Sequence, residues 1–138
     1  AQKSLAKILH SWLSTKTTDI LLIPIPLGKK RKAERGFNQV ERVLDDLPKS
    51  DNYSSEHCVL HRSRDTPPQT SLPRLARINN VRNAFSCDVE KLLQKYNGQT
   101  IVIIDDVVTT GATLREAKIA LSKHLPSSAM IICLALAH

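Results

Sequence analysis

Near the start of the chain, Leu5, Ile8, Leu9, Trp12 and Leu13 fall at i, i+3, i+4, i+7 and i+8, one stripe of an amphipathic helix. Ile20 to Ile25 comes next as a continuous apolar run broken only by Pro24. Its shortness and β-branched content fit a buried parallel strand ending at Pro26 and Gly28. Helical spacing returns at Phe37, Val40, Val43, Leu44 and Leu47 until Pro48 stops it, with Phe37 expected in the core. Cys58 to Leu60 reads as a second short strand. The segment beyond it carries Pro67, Pro68 and Pro73, and a loop of that length is a candidate lid or linker. Leu72, Leu75, Ala76 and Ile78 suggest a short helix, weakened by Asn79 and Asn80. Gly98 turns the chain into a third strand, Ile101 to Ile104. Leu114, Ala117, Ala120 and Leu121 mark a helix closed by Pro126, and Met130 to Leu136 supplies a fourth strand. Strands alternating with helices predict an α/β fold, a parallel-sheet core flanked by helices. With 138 residues there is room for one ordinary domain, expected at 20–138 behind an N-terminal helix at 1–19.

The third strand differs from the others at its far end. A wholly apolar stretch runs straight into Asp105 and Asp106. Adjacent charges are costly inside a core, so both belong at the strand's C-terminal tip, the edge where open α/β sheets bind ligands. Val107, Val108, Thr109, Thr110, Gly111, Ala112 and Thr113 then form the turn that opens the next helix. Backbone N–H groups there, together with the helix N-terminus, make an anion cradle of phosphate size. Gly111 admits close approach, and the threonine hydroxyls add donors. Carboxylates and cradle ask for different parts of one ligand. A sugar phosphate satisfies both, with phosphate in the turn and ribose hydroxyls or a Mg²⁺ on Asp105 and Asp106. An ordinary capped helix start needs one such residue rather than the whole string. Neither the GxGxxG fingerprint of dinucleotide folds nor a P-loop glycine–lysine string is present.

Composition narrows the class. Hydrophobic residues at 41% and charged residues at 24% exclude a disordered or fibrous chain. No apolar run approaches the roughly 20 residues of a membrane span, and the beginning lacks a secretory signal pattern, so a cytoplasmic location is expected. Cys58, Cys87 and Cys133 are widely separated and form no CxxC pair, which argues against a metal cluster. Cys58 and Cys133 sit in apolar runs and are expected to be buried. His10, His57, His61, His124 and His138 show no ligand spacing. The net charge of +7 is concentrated in two segments, Lys29 to Arg35 and Arg62 to Arg82, which points to an anionic partner: a phosphorylated small molecule or nucleic acid. Lys29 to Lys32 read equally well as a solvated basic run. Arg62 and Arg64 stand out because they precede the proline-bearing segment just beyond a strand end.

The string Ile101 to Thr113 is similar, position for position, to the phosphoribosyl diphosphate (PRPP) signature of type I phosphoribosyltransferases. Pro24 to Leu27, Arg35 to Gln39, and Arg62, Arg64, Thr66, Gln69, Leu72, Arg77, Asn80, Ala84 and Phe85 resemble the competence protein F branch of that superfamily. The resemblance covers Ile20 to the end. It implies a type I phosphoribosyltransferase-like, Rossmann-like three-layer fold, a pyrophosphate loop after the first strand and a flexible loop after the second. Leu27, Gly28 and Arg35 would then join Asp105 to Thr113 in binding PRPP. Asp105, Asp106, Arg62 and Arg64 would be catalytic, with Asp105 and Asp106 holding Mg²⁺ directly or through water. Two functions stand open. One is Mg²⁺-dependent transfer of a phosphoribosyl group to an unidentified acceptor with release of pyrophosphate. The other is a non-catalytic PRPP-sensing or single-stranded-DNA-binding module in natural transformation, although aromatics at 4% offer no visible stacking platform for bases. A homodimer is likewise open. Full-length members begin with a Cys-rich zinc ribbon, so a shortened chain or a short member is expected. No hood subdomain for gripping an acceptor is recognisable.

Overall fold

Ile101, Val102, Ile103 and Ile104 are fully buried in succession, a state a strand reaches only when both faces and both edges are covered. A computed structural model shows how. It describes residues 2–62, 73–76, 82–107 and 111–137, with the backbone alone at 29 and 30. In chain order the elements are α1 (Gln2–Ser14), β1 (Ile20–Pro24), α2 (Lys29–Arg35), α3 (Gln39–Asp45), β2 (Tyr53–Ser55), β3 (Leu60–Arg62), β4 (Phe85–Cys87), α4 (Val89–Lys95), β5 (Thr100–Val107), α5 (Ala112–Ser122) and β6 (Ile131–Ala137).

A four-stranded, all-parallel sheet runs in the order β2-β1-β5-β6. Strand β5 lies inside it, with Ile101 to Ile104 paired to Leu21 to Pro24 on one side and to Ile131 to Leu134 on the other. Successive side chains of a strand point to opposite faces, and each face meets its own layer. Ile101 and Ile103, with Leu21, Ile23 and Ile25 of the β1 side, pack on Leu114, Ala117 and Leu121 of α5 and Leu92 of α4. Val102 and Ile104 pack on Leu9 and Leu13 of α1 and Val40, Val43 and Leu44 of α3. The result is the three-layer α/β arrangement expected from the alternation of elements. No helix among the described residues is long and apolar enough to cross a membrane.

The structure corrects several details. The strand beside β1 is Tyr53–Ser55, not Cys58–Leu60. Cys58 has a left-handed φ of 64° in a turn, and only Leu60 of the expected stretch becomes strand. That strand, β3, leaves the main sheet and pairs antiparallel with β4. The basic run folds as α2 and ends at Gly36, whose φ of 78° is a left-handed helix stop that suits glycine. An unanticipated helix, α4, starts where the Asp88 side chain accepts from the Lys91 N–H. Phe37 lies outside the core, 37% exposed, with the Arg42 guanidinium 3.8 Å above its ring. Cys58 and Cys133 are both exposed. Cys133 sits on the edge strand β6, where its Sγ reaches the Leu114 carbonyl at 3.9 Å and partial burial still pushes the thiol pKa up. Of the helix expected around Leu72 to Ile78, residues 74–76 are helical and exposed, and Leu72, Arg77 and Ile78 lie outside the described residues.

Central and edge strands should respond differently to truncation. Ile103→Ala is expected to cost about 2–5 kcal/mol through a cavity that cannot collapse, and Ile132→Ala, on the partly exposed edge, under about 1 kcal/mol. Urea unfolding of both variants checks this; equal losses would show that β5 is not the structural centre.

Candidate functional site

The parallel sheet brings the C-terminal ends of its strands to one edge, and β5 delivers Asp105 and Asp106 there. Burial falls from complete at Ile104 to partial at both aspartates, and Val107 is exposed. Each carboxylate is held by the next peptide: Asp105 Oδ1 accepts from the Asp106 N–H and Asp106 Oδ1 from the Val107 N–H, both at 2.8 Å. Burial, reinforced by the neighbouring Asp106, pushes the Asp105 pKa up to about 7. The Arg62 charge works in the opposite direction.

Other elements converge on this tip. Arg35, at the end of α2, places Nη1 3.7 Å from Asp106 Oδ2, both side chains being partly exposed. Arg62, at the end of β3, donates from Nε to the Pro26 carbonyl at 2.9 Å, with its guanidinium 4.9 Å from the centre of the Phe85 ring. Leu27 and Gly28 lie in the β1–α2 loop, Leu27 half-buried and Gly28 buried. That loop is tied to β5 by the Ile25 N–H, which donates to the Ile104 carbonyl at 2.8 Å. Gly111, at a φ of 78°, turns the backbone into α5, so Ala112 and Thr113 occupy its first turn. The candidates Asp105, Asp106, Val107, Arg35, Arg62, Leu27, Gly28, Gly111, Ala112 and Thr113 thus all have described positions. Arg64, Val108, Thr109 and Thr110 lie outside the described residues.

Two residues support the edge through contacts that were not expected. Asn38, buried at 5% exposure, caps α3 by accepting from the Val40 N–H and donates from Nδ2 to the Ile25 carbonyl, both at 3.0 Å. The cap was readable from a polar residue just before an apolar helical stripe; the carbonyl contact was not. Glu116 of α5 accepts from the Asn83 N–H at 2.9 Å, which ties the chain ahead of β4 to the helix behind the acidic pair. Among the described residues no three metal-ligating side chains cluster.

Comparison with known proteins gives the chain a family. Residues 27–138 match the family model described as phosphoribosyl transferase domain. The chain belongs to the phosphoribosyl transferase family. Its relatives place it in the competence protein F branch. It is 32% identical over 102 residues to Competence protein F of Haemophilus influenzae, covering 74% of this chain and 44% of that protein. To the DNA utilization protein YhgH of Escherichia coli K12 it is 30% identical over 134 residues, 94% of this chain and 56% of the relative. To Competence protein ComFC of Bacillus subtilis it is 31% identical over 106 residues, 70% of this chain and 36% of the relative. The chain therefore spans about half or less of the length of these relatives.

In this phosphoribosyl transferase domain the raised pKa of Asp105 predicts a pH signature. Its ordinary value is 3.8 and its folded value about 7. Between them the folded chain keeps a proton that the unfolded chain has released, so stability falls as pH rises from about 4 to about 7 and is level above. Asp105→Asn should be more stable than the wild type at pH 8, by up to about 4 kcal/mol, with the gain vanishing near pH 4. Urea midpoints across that range read it out; a pH-independent gap would show that Asp105 ionises freely in the fold.

Proposed function

We propose that this domain binds PRPP with Mg²⁺ and transfers its phosphoribosyl group to an acceptor, releasing pyrophosphate. The observation that supports this most directly is the meeting of Asp105 and Asp106 with Arg35 and Arg62, brought from three separate elements to one edge of the sheet. Carboxylates suit ribose hydroxyls, and guanidinium groups suit phosphoryl oxygens. Mg²⁺ is commonly held by one or two carboxylates, with ligand phosphates and water completing its shell. Asp105 and Asp106 fit that donor set, each keeping a second oxygen beyond the one that takes a backbone N–H. The ion would neutralise charge on the pyrophosphate.

In this reading Asp105 and Asp106 accept from the ribose hydroxyls and fix the ring. The first turn of α5, with the Val108 to Thr110 string ahead of it, takes the 5-phosphate. The acceptor's lone pair forms the new bond at the anomeric carbon as the bond to pyrophosphate breaks and its electron pair leaves with that group. Positive charge already in place from Arg35 stabilises the departing anion without reorganisation, and by the resemblance Arg64 would add to it. The chemical class of the acceptor stays open.

Calorimetric titration with PRPP and Mg²⁺ tests binding. The Asp105→Asn, Asp106→Asn double variant is expected to lose at least about tenfold in affinity, the scale of a charge-assisted hydrogen bond; unchanged affinity would count decisively against the site. Catalysis is tested by pyrophosphate release with a panel of nucleobases and ammonia. Binding without release across the panel would favour a PRPP sensor.

The names of the relatives and the +7 charge favour a second reading, in which the same basic segments engage single-stranded DNA. Fluorescence anisotropy with a labelled oligonucleotide should then show affinity falling steeply with salt. Absence of binding at about 0.15 M ionic strength would eliminate it.

A further inference from the structure

The loop that leaves β1 beside the acidic pair has its first two carbonyls held by side chains from elsewhere. Asn38 takes the Ile25 carbonyl at 3.0 Å, and Arg62 takes the Pro26 carbonyl at 2.9 Å. Arg62 stands directly opposite Phe85 in the β3–β4 ladder, and its guanidinium lies 4.9 Å from the Phe85 ring centre, so the orientation of the fork is set by a ring as well as by a carbonyl. In a trans peptide the carbonyl of one residue and the N–H of the next point in opposite directions, and no peptide here is cis. Drawing the Pro26 carbonyl toward Arg62 therefore turns the Leu27 N–H to the other side of the loop. No acceptor among the described residues meets that N–H, although Leu27 is half-buried. A partly exposed donor of this kind is open to water or to a ligand oxygen.

We infer that Arg62 is a positioning residue for the pyrophosphate part of the site: by gripping the Pro26 carbonyl it presents the Leu27 N–H as a preorganised donor to a phosphoryl oxygen. This rests on the PRPP proposal above. It also changes the role expected for Arg62, from a charge acting on the ligand to a bracket acting on the loop. Asn38 supports the same loop one peptide earlier, but its second bond caps α3, so its replacement would confuse loop geometry with helix stability.

Two substitutions separate donor from charge. Gln carries Nε2 at the same distance along the side chain as the Nε of Arg, so Arg62→Gln keeps a donor for Pro26 without the positive charge. Arg62→Met keeps similar length and cover for Phe85 but donates nothing. Pyrophosphate and ribose 5-phosphate would be titrated separately by calorimetry at pH 8.5, above the raised Asp105 pKa of the wild type, with thermal unfolding confirming that each protein is folded. Arg62→Gln is expected to bind pyrophosphate within about threefold of the wild type, and Arg62→Met at least about tenfold more weakly, the worth of one hydrogen bond to an anion. Ribose 5-phosphate affinity should stay unchanged in both. In ¹⁵N-labelled protein the Leu27 amide signal should shift on adding pyrophosphate to the wild type and to Arg62→Gln, and stay still in Arg62→Met. Equal losses in Gln and Met would mean direct charge contact and overturn the inference. So would a parallel loss of ribose 5-phosphate, or a Leu27 signal that does not respond in the wild type. If the wild type binds pyrophosphate through Leu27 but not ribose 5-phosphate, the PRPP proposal fails while the bracket stands; the reverse pattern sinks the bracket alone.

Discussion

Complete burial of β5 is the constraint on which the rest of the structure depends. With helices on both faces and strands on both edges, Ile101 to Ile104 leave no place where a carboxylate could meet water. The first charges the chain can tolerate come where β1 has ended its pairing and β6 alone still runs alongside, at Asp105 and Asp106. Even there solvation is incomplete, which is why Asp105 holds its proton to about pH 7. The core thus both supplies the site's rigidity and perturbs its chemistry.

Around that tip, contacts between elements far apart in sequence give the edge its shape. The Ile25 N–H to Ile104 carbonyl bond fixes the β1 loop against β5, and Asn38 and Arg62 hold the carbonyls of Ile25 and Pro26. On the other side, Glu116 fastens the chain ahead of β4 to α5. Helix α2, between Gly28 and Gly36, carries Arg35 back toward Asp106. That ion pair is partly exposed, and pairs of this kind contribute under about 1 kcal/mol, so it can yield to a ligand at little cost.

What could be read from the sequence divides along a physical line. Strands β1 and β5 announce themselves as unbroken apolar runs, and α1, α3 and α5 by helical spacing, because burial acts on every residue of those stretches. Strand β2 has one buried residue in three, so no alternation marks it. Strands β3 and β4 find each other across a long separation, and no local pattern encodes their pairing. Helix α2 buries none of its described side chains, so its basic residues read as a solvated run, and α4, with Leu92 alone buried, was signalled only by its Asp88 cap. The candidate site is contiguous in the sequence from Asp105 to Thr113, of which Asp105 to Val107 and Gly111 to Thr113 have described positions. Its supporting bonds, such as Asn38 to Ile25 across 13 residues and Arg62 to Pro26 across 36, exist only in three dimensions.

Strand β6 has a consequence of another kind. It closes the sheet on one side with Ile-Ile-Cys-Leu-Ala-Leu-Ala, seven residues without a charge or a proline, and no described strand pairs with its outer edge. Natural sheets usually blunt such borders with lysine, proline or a bulge. A border lacking these gatekeepers leaves a row of backbone donors and acceptors ready to zip onto a neighbouring molecule. An added strand pairing there would satisfy that row without disturbing the core beneath it.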